Sequence, residues 1–138
     1  MFDPKAEVPS LELCQRLKEL GFPQTIGGWY WTRIEAIDGS GDIWALDFAY
    51  APFFPNSVKE IIKAPTCREL GEWLPRVIED CFLEFLPKGA KILDWWVVYR
   101  NQSKTKILIS ADTEPSARAK MLIWLAENGY VKFERKEV

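Results

Sequence analysis

The side chains able to do chemistry in this sequence are few and scattered. There is no histidine among its 138 residues. That excludes Ser-His-Asp and Cys-His catalysis, His-ligated zinc or haem, and a histidine pH switch. Cys14, Cys67 and Cys81 are an odd number at wide spacings with no CxxC pair, so neither a zinc ribbon nor a thioredoxin-type site is indicated. Asp47 and Asp94 fall inside expected strands, where carboxylates can chelate Mg²⁺. No Asp followed by a Glu-x-Lys strand stands out, since Glu134-Arg135-Lys136 fits only at a charged terminus. Outward polar alternates of half-wet strands explain both carboxylates without function. The serines lack a GxSxG elbow, and neither Gly27-Gly28 nor Gly39-Ser40-Gly41 leads into a helix as a phosphate loop does. No catalytic or metal-ligating residue is assigned and no cofactor is expected.

Binding chemistry has better material. The chain holds 7 Trp, 4 Tyr and 8 Phe, or 14% of its residues. Trp29-Tyr30-Trp31, Trp95-Trp96 and Phe53-Phe54 set large aromatics on successive positions. Successive side chains of a strand point to opposite faces, so these groups cannot all be buried beneath one layer of helices. Trp and Tyr also combine apolar area with a polar handle, as interface residues do. An interaction face of Trp29, Trp31, Trp95, Trp96 and Tyr99 is therefore expected. Its occupant is a protein partner or a second copy of the chain, unless the Pro-Phe-Phe-Pro loop covers it. The alternative is nucleic-acid association: Arg100, Lys104 and Lys106 flank a hairpin tip that carries no acid, directly after Trp95, Trp96 and Tyr99. A metal-dependent enzyme ranks third.

The elements that must position these residues can be read along the chain. Ser10 to Leu20 is a helix with Leu13, Leu17 and Leu20 on one stripe and Cys14 beside them. Ser10 caps it, Gly21 closes it, Phe22 packs back on Leu17, and Pro23 prevents continuation. Gly28 to Ile37 and Asp42 to Tyr50 form a hairpin across Asp38-Gly39-Ser40-Gly41. After the Pro-Phe-Phe-Pro loop, Val58 to Lys63 reads as a short strand. Thr66 with Glu69 makes a capping box. From there Leu70, Trp73, Leu74, Val77, Ile78, Cys81, Phe82 and Phe85 follow a helical period, which predicts a helix over Thr66 to Leu86, kinked or split at Pro75. Lys91 to Arg100 and Lys104 to Ala111 form a second hairpin around Asn101-Gln102-Ser103. A last helix is capped by Asp112 or Thr113, tolerates Pro115 in its first turn, and ends at Asn128-Gly129. Tyr130 to Phe133 can add an edge strand.

This order predicts an α+β fold. A mainly antiparallel sheet is built from two hairpins, with about three helices on one face, as a two-layer sandwich. Length, 48% hydrophobic residues and 28% charged residues fit a single globular domain over residues 1–138. The net charge of −2 is spread along the chain, so no general attraction to nucleic acid or anionic lipid follows, and self-association meets little repulsion. Cys14 and Cys81 fit buried, reduced positions. No apolar run approaches the ~20 residues that span a bilayer, and Met-Phe-Asp-Pro-Lys is no secretory signal. The expected location is cytoplasmic, with no membrane partner.

Three segments together resemble a known group of sequences. They are Leu17-Lys18-Glu19-Leu20-Gly21-Phe22-Pro23-Gln24, the stretch from Ala64-Pro65-Thr66 through Glu69-Leu70-Gly71-Glu72-Trp73-Leu74-Pro75, and Ala117 through Lys120-Met121-Leu122-Ile123-Trp124-Leu125-Ala126-Glu127-Asn128-Gly129. The pattern is similar to small uncharacterised proteins carried by bacteriophages, prophages and other bacterial mobile elements. It consists of helix-building segments, so the resemblance implies a genomic setting and no mechanism.

Overall fold

Ser10 and Gly21 bracket the first helix. In the computed structural model, which describes residues 3–25, 27–49, 58–89 and 93–133, helix α1 spans Leu11–Glu19. The Leu13 amide donates to the Ser10 hydroxyl oxygen (3.4 Å), satisfying one free donor of the first turn. At the other end Gly21 takes φ +97°, and the Phe22 amide donates to the Leu17 carbonyl (2.9 Å). Both belong to the Schellman closure that the sequence predicts.

Strands β1 (Gly28–Glu35), β2 (Asp42–Ala49) and β3 (Val58–Ala64) form an antiparallel sheet in the order β2-β1-β3. The first hairpin and the short third strand thus form where expected. Residues 50–57, with Phe53 and Phe54, lie outside the described residues.

The long helix over Thr66 to Leu86 does not form. Its start is correct, because Thr66 and Glu69 make a reciprocal capping box, but α2 spans only Cys67–Gly71. The chain is neither kinked nor split into two helices at Pro75. It runs on as β4 (Val77–Ile78) and β5 (Cys81–Leu86), joined by a two-residue turn in which Glu79 takes φ +56°. Pro75 accounts for the change: it has no amide to donate, its ring crowds the preceding turn, and it biases Leu74 toward extended backbone. Beyond it the dense apolar residues obey a period of two. Cys81 is buried and Leu83 packs on the main core, whereas Phe82 between them is exposed.

Strands β6 (Trp95–Arg100) and β7 (Thr105–Ala111) complete a second antiparallel sheet, in the order β4-β5-β6-β7. Lys91 and Ile92, expected in β6, lie outside the described residues. Helix α3 (Glu114–Glu127) is capped by Thr113 and carries Pro115 in its first turn. Tyr130 to Phe133 forms no edge strand. Phe133 packs instead against Phe22 and Trp73, with centroids 5.4 and 5.3 Å away, and aromatic packing holds the segment without a ladder.

The fold is α+β, with three α-helices and two antiparallel sheets among the described residues. The two expected hairpins lie in separate sheets. The larger core joins Leu17 of α1, Leu70 of α2, and Met121, Leu122 and Leu125 of α3 to Val97, Tyr99 and Ile107 of the second sheet. Burying each such Leu stabilises by about 1.5–3 kcal/mol. A smaller core gathers Val8, Cys14, Trp31, Ile62 and Ala64. Leu17 and Cys14 place α1 in both cores, so one short helix couples the sheets. No described helix is long and apolar enough to cross a membrane.

Candidate functional site

The five aromatics expected to share an interaction face are not brought together. Trp31 is buried in the smaller core, where its indole N–H donates to the Pro9 carbonyl (3.3 Å). Trp29, two residues away and hence on the same face of β1, packs on that core with its ring 5.2 Å from Phe48. Trp95 and Tyr99 point into the larger core. Tyr99 is fully buried and donates to the Pro75 carbonyl (2.7 Å), and its burial pushes the phenol pKa well up. Trp96 has the opposite parity and is half-buried on the other face of β6. Alternation thus separates Trp95 from Trp96, as expected, but returns the remaining aromatics to two cores.

Part of the exposed apolar surface lies on that other face of the four-stranded sheet, with Ile37, Ile43, Phe48 and Leu93 exposed elsewhere. Registered rows across it are Phe82–Arg100, Glu84–Val98–Leu108 and Leu86–Trp96–Ser110. Exposure is uneven: Val98 is 1% accessible, whereas Leu108 is 50% and Phe82 58% accessible. Val77, paired with Phe82, adds a third half-exposed apolar side chain.

Beside this face lies an open groove of about 1070 Å³ at the β6–β7 tip, lined by Phe82, Glu84 and residues 100–105. Every basic residue expected to make this tip attractive to phosphate is paired. Arg100 donates through Nε and Nη2 to Glu84 Oε2 (3.2 and 2.8 Å), Lys104 meets Asp80 at 3.3 Å, and Lys106 meets Glu79 at 3.0 Å. Lys104 beside Asp80 and Arg100 beside Glu84 hold both carboxyls below their ordinary range. The acids come from the β4–β5 hairpin, which the sequence read as helix.

A second open groove, about 980 Å³, runs beside the short edge strand β4. Its apolar lining includes Leu74, Leu83 and Phe85, and Phe82 and Val77 form the side shared with the sheet face. Arg68, Arg76 and Arg118 line it against one carboxylate, Glu72. Arg118 sits 4.0 Å over the Phe85 ring, donates to the Cys67 carbonyl (3.2 Å) and pairs with Glu114 (2.7 Å). Gly71 makes room for it, because a Cβ there would come within 3.0 Å of Arg118 Nη1. Arg68 and Arg76 are exposed and hold no carboxylate among the described residues.

The remaining reactive groups have structural settings. Lys63 is buried; its ammonium donates to the Gly27 carbonyl, meets Glu69 at 3.1 Å, and lies 5.2 Å from the Tyr30 ring centroid. These contacts tie the α2 cap to β1 and β3. Burial pushes the Cys14 thiol up to about 12 and the Cys67 thiol up to about 11, so both are poor nucleophiles at neutral pH. Asp47 accepts from the Thr32 hydroxyl (2.6 Å). No group of three His, Cys, Asp or Glu side chains among the described residues is placed to hold a metal ion. The chain matches no protein-family model, and neither a curated protein nor a solved structure shows significant similarity to it.

Proposed function

We propose that this chain is a non-catalytic interaction module that associates with a second copy of itself through the outer face of the four-stranded sheet. The observation that carries this reading is the pair of large apolar side chains, Phe82 and Leu108, each at least half exposed on one sheet face. A two-fold contact requires a patch complementary to itself. The outer face does not oppose such a contact, because its Arg100 and Glu84 neutralise each other at 2.8 Å and leave no single-sign field there to repel a copy. The resemblance of the helix-building segments supports a phage or prophage setting, in which the protein is an accessory factor.

Sedimentation velocity from micromolar to millimolar chain concentration tests the reading. Wild type should shift from monomer toward dimer with concentration, and Leu108→Lys, a change at an exposed position, should hold it monomeric with an unchanged melt. Wild type that stays monomeric throughout and binds no apolar-surface dye overturns the proposal.

A further inference from the structure

An unpaired cation marks a binding surface better than basic content does, since a paired one has already spent its field on a neighbour. Of the six described arginines, Arg16, Arg33, Arg100 and Arg118 hold carboxylates at 2.7–3.3 Å. Arg68 and Arg76 hold none among the described residues, and both line the groove beside β4. The chain as a whole carries −2, yet this groove has three arginines against Glu72. Its walls add flat apolar surface: Phe82 is exposed, and the Arg118 guanidinium lies over the Phe85 ring with its Nε buried and unpartnered among the described residues.

We propose that the β4-edge groove binds single-stranded nucleic acid, with Arg68 and Arg76 on backbone phosphates and bases against Phe82 and the Arg118–Phe85 stack. The combination is what a strand requires. Phosphates supply anions at a regular spacing, and every base offers a π-face to an aromatic ring or a guanidinium plane. A duplex keeps its bases stacked and cannot use the rings. An acidic peptide can use the arginines but leaves the aromatic wall idle. The groove is open rather than enclosed, which suits a chain lying across it better than a free mononucleotide that needs enclosure.

The groove shares Phe82 with the proposed self-association face, and Leu108, which lies outside the groove lining, keeps the two apart in the test. Fluorescence anisotropy of a labelled twelve-nucleotide oligothymidylate is followed at low salt, with a matching duplex and polyglutamate as competitors. Wild type should bind the single strand in preference to both. Arg68→Ala/Arg76→Ala should weaken binding at least about tenfold and flatten the salt slope by about 1.4, the share of two phosphates on a single strand. Phe82→Ala should weaken it about fivefold by loss of stacking. Lys104→Ala, at the paired tip, should leave it unchanged. Leu108→Lys should bind the strand whether or not wild type dimerises. Absence of binding at low salt, wild-type affinity in the double arginine variant, or equal competition by duplex or polyglutamate overturns the proposal. The arginines are exposed and hold no carboxylate among the described residues, so an unchanged melt shows that their loss acts through the groove.

Discussion

The hairpin-tip groove and the β4-edge groove meet at Phe82 and enclose about 1070 and 980 Å³. Each is flanked by three basic residues. At the tip, Arg100, Lys104 and Lys106 are each matched by a carboxylate from β5 or from the turn before it. At the edge, Arg118 alone is matched among the described residues, by Glu114 of its own helix, and Arg68 and Arg76 face solvent. Two surfaces of similar size and basic content therefore present different fields, and the pairing pattern makes the difference. Exposed ion pairs contribute little to stability, so their main effect at the tip is on what it can attract.

The largest effect on this contrast is expected from Arg118→Ala. The change removes the hydrogen bond to the Cys67 carbonyl, the pair with Glu114 and the stack on Phe85 together. It should cost about 2 kcal/mol in urea unfolding, where a neutral surface change costs a few tenths. It should also degrade strand binding at the edge groove without altering the tip pairs. A melt indistinguishable from wild type would mean that Arg118 does not brace α2 against α3 and β5.

A smaller effect tests the tip directly. Glu79→Gln, Asp80→Asn and Glu84→Gln together would release Lys106, Lys104 and Arg100 while preserving side-chain shape. The triple variant should bind the oligothymidylate several-fold more tightly than wild type, with a steeper salt dependence from three unmatched charges. Unchanged affinity would show that pairing does not keep the tip from phosphate.

The two regions were unequally legible in the sequence. Ser10, Gly21 and Pro23 specify α1 at several levels at once, as Thr113, Pro115 and Gly129 do for α3. Leu70 to Phe85 is different, because apolar residues are dense enough to satisfy a helical period and a strand alternation together. Only Pro75 and the polar pair Glu79-Asp80, now a two-residue turn, carried the contrary signal. The candidate site was lost with that segment. A continuous helix would set Arg76 four residues from Asp80 as an ordinary i, i+4 pair, whereas Arg68 and Glu72 keep that spacing at the end of α2. Unwinding after Gly71 carries Asp80 to the β4–β5 turn, where it meets Lys104. One misassigned helix therefore both hid Arg76 and made the tip look unpaired. The aromatic face failed for a separate reason: parity separates neighbours on a strand, but which face meets a helix is decided by tertiary packing. That packing buries Trp31 and Tyr99.

The smallest expected effect is a pH dependence confined to the tip. Asp80 and Glu84 have ordinary values of 3.8 and 4.5, and in the folded chain Lys104 and Arg100 lower them. The folded state then binds fewer protons than the unfolded chain in acid, so the stability these pairs contribute is complete above the ordinary values. It is lost as pH falls below them and through the depressed folded values. Asp80 is exposed and Glu84 partly so, and screening keeps the increment small; added salt should shrink it further. Thermal melts of wild type and Asp80→Asn/Glu84→Gln between pH 6 and pH 2 separate this contribution from the rest. The variant cannot lose what it lacks, so the two melting curves should differ slightly near neutrality and converge in acid. A gap that stays constant across the range would mean that the tip pairs add nothing to folding. The contrast between the two grooves would then rest on strand binding alone.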